Sequence, residues 1–223
     1  MSTPRPPHPS IPFTLLLFPG HDSEIEMTDA AQLLARAIER FDEVNSRDPR
    51  TTPVGEREGP TELVYARRMT VTLDRFAPGA SDELRLAVRA QHISRWSIPR
   101  SEFPLGRSGY KAWRICLMDH HAELAAGILR DVGYGELTVE RVGQLLRKRG
   151  LKRDPEVQTL EDVVCLVFLE YYFEEFAARH EDDKLVEILR KTWAKMSERG
   201  RAEARGLKLG ARGKKLLARV LGE

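Results

Sequence analysis

Residues 155–180 read PEVQTLEDVVCLVFLEYYFEEFAARH, and this stretch decides the fold class. Pro155 suits the first turn of a helix, because the N–H that proline lacks has no helical partner there. The run from Val163 to Phe173 is apolar on nearly every side, which is typical of a helix that is buried all round. We therefore predict one long central helix over this stretch, covered by other helices.

Segments on both sides of the central helix repeat their apolar residues at helical spacing. Residues 46–60 are polar and rich in Pro and Gly, which predicts a loop, and no clear period-2 alternation occurs outside the ambiguous LLLF at 15–18. The predicted fold class is all-α, a single compact helical domain of about six to eight helices. The other predicted helices cover residues 29–44, 61–76, 82–96, 110–132, 138–146, 183–196 and 207–221.

Composition divides the chain into three parts. Residues 1–27 are rich in proline, and we expect this N-terminal segment to be partly mobile. Residues 28–204 make up the helical domain, and residues 205–223 make up a basic C-terminal tail that can form one short helix. From Lys191 to Glu223 there are ten Lys or Arg against three Glu. Such a tail either binds RNA or another acidic partner, or is simply a solvated basic helix.

Composition also limits the classes of function. Charged residues make up 31% and hydrophobic residues 41% of the 223 residues, which predicts a folded, soluble protein, and the net charge of +2 is too small for a surface that attracts polyanions everywhere. The apolar run from Ile11 to Phe18 is too short to cross a bilayer, so no membrane partner is expected. Cys116 and Cys165 lie among apolar neighbours, which favours free thiols and a cytoplasmic location.

Two of the six histidines lie on helix faces that otherwise turn toward the core. His92 follows Leu84 and Val88 at steps of four, and His121 lies between Leu117 and Ala125. Each is either a hydrogen-bonded core residue or a metal ligand. Glu161, Asp162 and Glu170 on the central helix need a cation if they are buried, and imidazole with carboxylate is a normal ligand set for a divalent transition metal (Mn, Fe or Zn).

A group of arginines surrounds a connector rich in Pro and Gly before the helix at 110–132. A guanidinium fork matches phosphate or carboxylate oxygens, so this group predicts a site for an anionic small molecule or nucleotide. The alternative is that these arginines pair with Glu102, Asp119 and other surface acids. No phosphate-binding glycine loop, Cys-x-x-Cys pair or serine nucleophile elbow accompanies them. The predicted anion-binding residues are Arg95, Arg100, Arg107, Tyr110, Arg114 and Lys148.

Five motifs together resemble the family called domain of unknown function 4202. They are RAQHISRWSIPR at 89–100, GYKAWR at 109–114, HAEL at 121–124, DPEVQTLEDVVCLVFLEYYF at 154–173 and KTWAKMS at 191–197. The resemblance covers roughly Ala31 to Ala204, with the motifs in the right order. That family is uncharacterised, so the resemblance implies no chemistry.

The chain also resembles, more distantly, the HD superfamily of helical metal-dependent phosphohydrolases. In that likeness Tyr65 stands where the first ligand histidine would be, and Ile93 stands in place of the aspartate that follows His92. His121 resembles the histidine that begins the next helix in two-metal members, and Asp162 resembles the distal aspartate. The resemblance implies an HD-like fold and leaves His92, His121 and Asp162 as metal ligands, with two ligands lost.

Three functions follow from these residues as hypotheses. The first is a metal-dependent hydrolase of a phosphorylated or nucleotide-like anion, in which Glu161 is the catalytic base and the arginines bind the phosphate. The second is a non-catalytic nucleotide- or RNA-binding module that uses the arginines and the basic tail. The third is an interaction protein whose arginines form surface ion pairs. An oxygenase with two irons, as in some HD members, is a further alternative.

Overall fold

The computed structural model describes residues 22–55 and 57–222, so the run from Ile11 to Phe18 and most of the predicted N-terminal segment lie outside the described residues. The fold is all-α, as predicted. It has ten α-helices in this part of the chain, slightly more than the six to eight expected. These are α1 (Asp22–Asn45), α2 (Thr61–Phe76), α3 (Asp82–Ala90), α4 (Gly106–Val132), α5 (Glu136–Leu146), α6 (Pro155–Val167), α7 (Phe173–Ala177), α8 (Asp182–Lys195), α9 (Glu198–Arg205) and α10 (Ala211–Leu221).

Helix α6 lies in the core, as its apolar run predicts. Leu160, Val163 and Leu166 are fully buried, and α6 packs against α2, α3, α5, α8 and α9. Asp154 caps its start by accepting hydrogen bonds from the backbone N–H groups of Glu156 and Val157, with Pro155 in the first turn. The core therefore forms around the stretch that decides the fold class.

The long central helix predicted over 155–180 is interrupted. It ends at Val167, continues as a π-helical turn from Phe168 to Tyr172 and resumes as α7. The turn keeps Leu169 and Phe173 buried and leaves Tyr171 and Tyr172 partly exposed. This interruption and the unpredicted α9 account for much of the difference in helix number.

The segment predicted as a loop contains a β-hairpin. Strand β1 (Thr51–Val54) pairs antiparallel with β2 (Arg57–Pro60), and Gly55 in the turn has φ +60°. The backbone N–H of Thr61 donates to the carbonyl of Arg50, so the hairpin leads directly into α2. The prediction of a loop was wrong here because strands of four residues with a proline in each carry little periodic signal.

Helix α3 is shorter than predicted. It ends at Ala90, and two 3₁₀ turns, Arg95–Ser97 and Arg100–Glu102, follow. Ser94 adopts φ +52°, a left-handed conformation that is uncommon in a non-glycine residue, and its N–H donates to the side chain of buried Asn45. The chain therefore turns sharply at the residues that carry the predicted site.

The basic C-terminal tail contains α10, which packs against α8. Leu216 and Leu217 are buried there, while Arg212 pairs with Asp182 and Arg219 pairs with Asp183. Two of its basic residues are thus already paired with acids. Both cysteines are free thiols, and none of the helices in the described ranges is long and apolar enough to cross a bilayer.

Candidate functional site

The candidate site centres on His92, at the turn that follows α3. Its imidazole stacks on the ring of Tyr65 from α2, with centroids 4.0 Å apart and planes 12° apart. On one edge, His92 Nδ1 lies 3.3 Å from Oε2 of Glu62, a buried carboxylate in the first turn of α2. This contact favours a proton on Nδ1, because an ionised carboxylate only accepts hydrogen bonds.

Glu62 is placed by the residues that precede the hairpin. Buried Asp48 accepts a hydrogen bond from the backbone N–H of Glu62, with a distance of 3.0 Å to Oδ2. Arg50 bonds to both carboxylates, and its Nη2 lies 2.7 Å from Oε1 of Glu62. Burial raises the pKa of Glu62, although Arg95 and Arg50 act to lower it. Arg50, directly before the hairpin, therefore supplies a cation that stabilises the buried carboxylate beside His92.

His121, from the middle of α4, is the second imidazole of the site. Its ring centroid lies 5.9 Å from that of His92, and its Nδ1 donates to the carbonyl of Ile93 at 2.8 Å. Its Nε2 is buried and has no hydrogen-bond partner in the described part of the chain. Burial places the pKa of both His92 and His121 well below the usual 6.5. Both rings are therefore neutral near pH 7, and Nε2 of His121 is an unused acceptor.

Three cations act on the imidazole of His92, and we call Arg95, Arg114 and Lys148 the basic rim. After burial, their positive charges are the largest causes of the lowered pKa of His92. The guanidinium of Arg95 lies over the ring of Trp113, 4.6 Å from its centroid, and Lys148 forms an ion pair with Glu161. The rim therefore has one member from the turn after α3, one from α4 and one from the end of α5.

Arg114 differs from the other two members of the rim. Arg95 Nε lies 3.9 Å from Glu62, and Lys148 faces Glu161. Half-buried Arg114, in contrast, has no carboxylate within 4.0 Å among residues 22–55 and 57–222. A partly buried guanidinium without a counter-ion is a place where an anion is stabilised.

The other predicted anion-binding residues lie elsewhere or are engaged. Arg100 donates to the backbone carbonyls of Phe103 and Pro104, so it stabilises the connector in which it lies. Arg107 and Tyr110 are exposed in the first turns of α4, where Tyr110 contacts the ring of Trp113. Asp119, expected as a partner of these arginines, pairs with Arg147.

The predicted carboxylates are buried, but each already has partners. Glu161 faces Lys148 and, at 3.4 Å, Lys195. Although burial acts to raise the pKa of Glu161, the attraction of Lys148 holds it below the usual value. Asp162 accepts hydrogen bonds from Ser197, at 2.8 Å from its backbone N, and from Gln158. These bonds fix the start of α9, which Ser197 caps.

The residues described do not fit the predicted metal set. Within residues 22–55 and 57–222 no three His, Cys, Asp or Glu side chains are grouped to hold a metal ion. His92 and His121 lie together, whereas Asp162 is bonded to Ser197 and Gln158. Catalytic zinc sites use three protein ligands, so two imidazoles are too few.

Glu62, Asp48 and Arg50 belong to the site, and sequence reasoning missed all three. Glu62 lies in a first helical turn, where an acid is usual for its interaction with the helix dipole. Asp48 and Arg50 lie in the segment predicted as a loop. The short spacing of Asp48 and Arg50, soon after the predicted helix at 29–44, was the only available signal, and it is weak.

Comparisons with known proteins identify a family and nothing more specific. The profile of the family described as "Domain of unknown function (DUF4202)" matches residues 35–217. Searches of curated proteins and of solved structures returned no match. The matched range includes the hairpin, the basic rim and both imidazoles. Because this range is most of the chain, the protein belongs to the DUF4202 family.

Proposed function

We propose that the protein binds a small phosphorylated or nucleotide-like anion at the basic rim. The observation that carries this proposal is Arg114, a half-buried guanidinium with no counter-ion in the described residues, beside Arg95 and Lys148. Phosphate oxygens accept hydrogen bonds from a guanidinium in pairs, and such bonds are stronger away from bulk water. Glu62 and Glu161 neutralise only part of the positive charge of the basic rim, and a bound anion neutralises the rest.

The surroundings of the rim favour a ligand with a second polar group. Nε2 of His121 is a buried acceptor without a donor, so a hydroxyl or amino group of the ligand is the natural partner. The ring of Trp113 positions Arg95 before a ligand binds. The Nε1 of Trp113 in turn donates to the carbonyl of Ile98. Preorganised cations lower the entropy cost of binding. A sugar phosphate or nucleotide carries both the anion and the donor.

A metal-dependent phosphohydrolase at this site stays a prediction. Its support is that two neutral imidazoles lie together, one with a free Nε2 in the described residues, and that burial, opposed by Lys148, leaves the pKa of Glu161 below its usual value. Its weakness is the missing third ligand. Elemental analysis of the wild type beside His92→Ala tests it: stoichiometric Mn, Fe or Zn that is lost in the variant would replace the binding proposal by the hydrolase.

RNA binding through the basic tail has less support than binding of a small anion. Two arginines of α10 already pair with Asp182 and Asp183. The two free thiols fit a reducing compartment such as the cytoplasm, where small phosphorylated compounds are abundant. We therefore place the ligand at the rim and not at the tail.

Calorimetric titration with AMP, adenosine and inorganic pyrophosphate tests the proposed function. We expect AMP to bind more tightly than adenosine, because only AMP carries the anion. We also expect its affinity to fall when salt is raised from roughly 50 to roughly 200 mM, because the binding is ionic. Equal binding of AMP and adenosine, or no heat from any phosphorylated probe at millimolar concentration, would overturn the proposal.

A further inference from the structure

A second concave surface lies on the far side of α2, between this helix and the β-hairpin. This hairpin groove has a volume of about 360 Å³, within the range of small-molecule sites. Its floor is apolar and consists of Val54, Leu63, Val64 and Val71. Val54 and Val71 are 47% and 58% exposed, although most valines of this protein are buried. Exposed apolar side chains that adjoin one another mark an interaction site more often than isolated ones do.

The rim of the hairpin groove is positively charged. Arg57, Arg67 and Arg68 line it, and among the described residues of the lining Glu58, which accepts a hydrogen bond from Thr51, is the single acid. Arg67 lies 3.9 Å from Asp42, and its side chain is largely exposed. Three guanidinium groups around an apolar floor complement an anion that carries an apolar body.

The π-helical turn supplies the end wall of the groove. It brings Tyr171 to the lining, and the guanidinium of Arg68 lies 4.9 Å from the ring centroid of Tyr171 and 5.1 Å from that of Tyr172. Stacking holds Arg68 over the floor instead of leaving it free in solvent. Isolated π-helical turns occur frequently at functional sites, because they displace side chains from the regular helix.

The hairpin itself is fixed against α2. The hydroxyl groups of Thr52 and Thr61 lie 2.9 Å apart, and Arg50 joins the hairpin to Glu62. Gly59 permits a close approach, since a Cβ atom there would lie 3.0 Å from Cγ2 of Val64. The groove is therefore preformed, as small-molecule sites usually are.

We infer that the hairpin groove binds a small amphipathic anion. The apolar body of the ligand lies on Val54, Val64 and Val71 beside Tyr171, and its acidic group accepts hydrogen bonds from Arg68 and its neighbours. This inference does not depend on the proposed function, because none of the residues that line the groove belongs to the basic rim or the two imidazoles. Either site can be disproved while the other stands.

The probe is 1-anilinonaphthalene-8-sulfonate, whose fluorescence rises in apolar surroundings and whose sulfonate is an oxyanion. We expect saturable binding to the folded wild type and a loss of about tenfold or more in affinity for both Val71→Glu and Arg68→Gln. Val71 is exposed, so its substitution leaves the core unchanged. A urea unfolding curve for each variant checks that it is folded.

Two matched controls lie outside the groove. Ile115→Glu places the same charge on an apolar residue that is 56% exposed on α4, and Arg190→Gln removes an exposed arginine of α8. Both controls should bind the probe as the wild type does. Absence of saturable binding, or equal affinity in the controls and the groove variants, would overturn the inference.

Discussion

The ring of Tyr65 lies face to face with the imidazole of His92, 4.0 Å away and within 12° of parallel. The distant resemblance to the HD superfamily that we inferred from sequence predicts a ligand histidine in the place of Tyr65. Burial raises the pKa of Tyr65 far above its usual 10, so the phenol stays protonated near pH 7. The stack instead holds His92 in one orientation between an aromatic face and the carboxylate of Glu62. Because the two imidazoles are neutral, they do not offset the positive charge of the basic rim, and this favours binding of an anion.

Acid should destabilise the protein through His92 and His121. Their pKa values in the folded state lie well below 6.5, chiefly because they are buried. Between these values and 6.5 the unfolded chain binds more protons than the folded one, so the free energy of unfolding falls as pH falls. The slope is up to about 1.4 kcal/mol per pH unit for each ring. Urea unfolding between about pH 7.5 and about pH 5.5 measures it.

The variant His92→Gln separates this cause from other titrations. Removing one of the two imidazoles should lower the slope of the free energy of unfolding against pH over this range. Above pH 7 that slope should not change, because both rings are neutral there. An unchanged slope in His92→Gln would contradict this cause, because it would mean that His92 has the same pKa in the folded and the unfolded protein.

Asp162→Ala should destabilise the start of α9 and leave anion binding intact. The substitution leaves the backbone N–H of Ser197 without its acceptor, while the amide of Gln158 keeps the carbonyl of Lys195, and it should cost about 2 kcal/mol in the free energy of unfolding. Ser197→Ala, which removes the cap and the hydroxyl that donates to Asp162, should cost about 1 kcal/mol. Loss of AMP binding in a stably folded Asp162→Ala would instead assign Asp162 to the site.

Lys148→Met should be strongly destabilising. It removes the closest cation from buried Glu161 and leaves only Lys195, so the free energy of unfolding should drop by about 3 kcal/mol. Lys191→Met, at an exposed pair with Glu187, is the matched control and should cost less than about 1 kcal/mol.

The double variant Lys148→Met with Glu161→Leu tests the cause of this loss. Removing both charges should recover much of the stability, because no unpaired ion stays buried. AMP binding should stay weak, since the rim has still lost a cation. A double variant as unstable as the single one would mean that Lys148 acts through packing and not through charge.

The sequence predicted the helices well wherever one apolar face repeats over several turns. Helix α2 has the predicted bounds, and α4 ends at Val132, as predicted, with Gly133 in the left-handed conformation after it. The hairpin and the break at Phe168 were not predicted, since both depend on contacts distant in sequence. A nearly continuous apolar run does not indicate where a π-helical turn interrupts the helix.

The site was predicted only in part. His92 and His121 lie together as their core-facing positions suggest, because helical spacing fixes the face of a side chain. Helical spacing does not indicate which residue a charged side chain pairs with. Arg100 is bonded to backbone carbonyls of its own connector, and Glu62 is buried beside His92 only because Asp48 and Arg50 fold back onto α2. Such partners are set by tertiary structure.

Titration of AMP into Arg114→Gln, beside the wild type and the control Arg190→Gln, tests the central claim most directly. Arg114 has no acid to leave unpaired in the described residues, so its loss should not lower the free energy of unfolding. Its loss should weaken AMP binding by roughly 10- to 100-fold, as expected for a hydrogen bond to a charged group, while Arg190→Gln should match the wild type. Equal affinity in all three proteins would contradict the proposal that an anion binds at the basic rim.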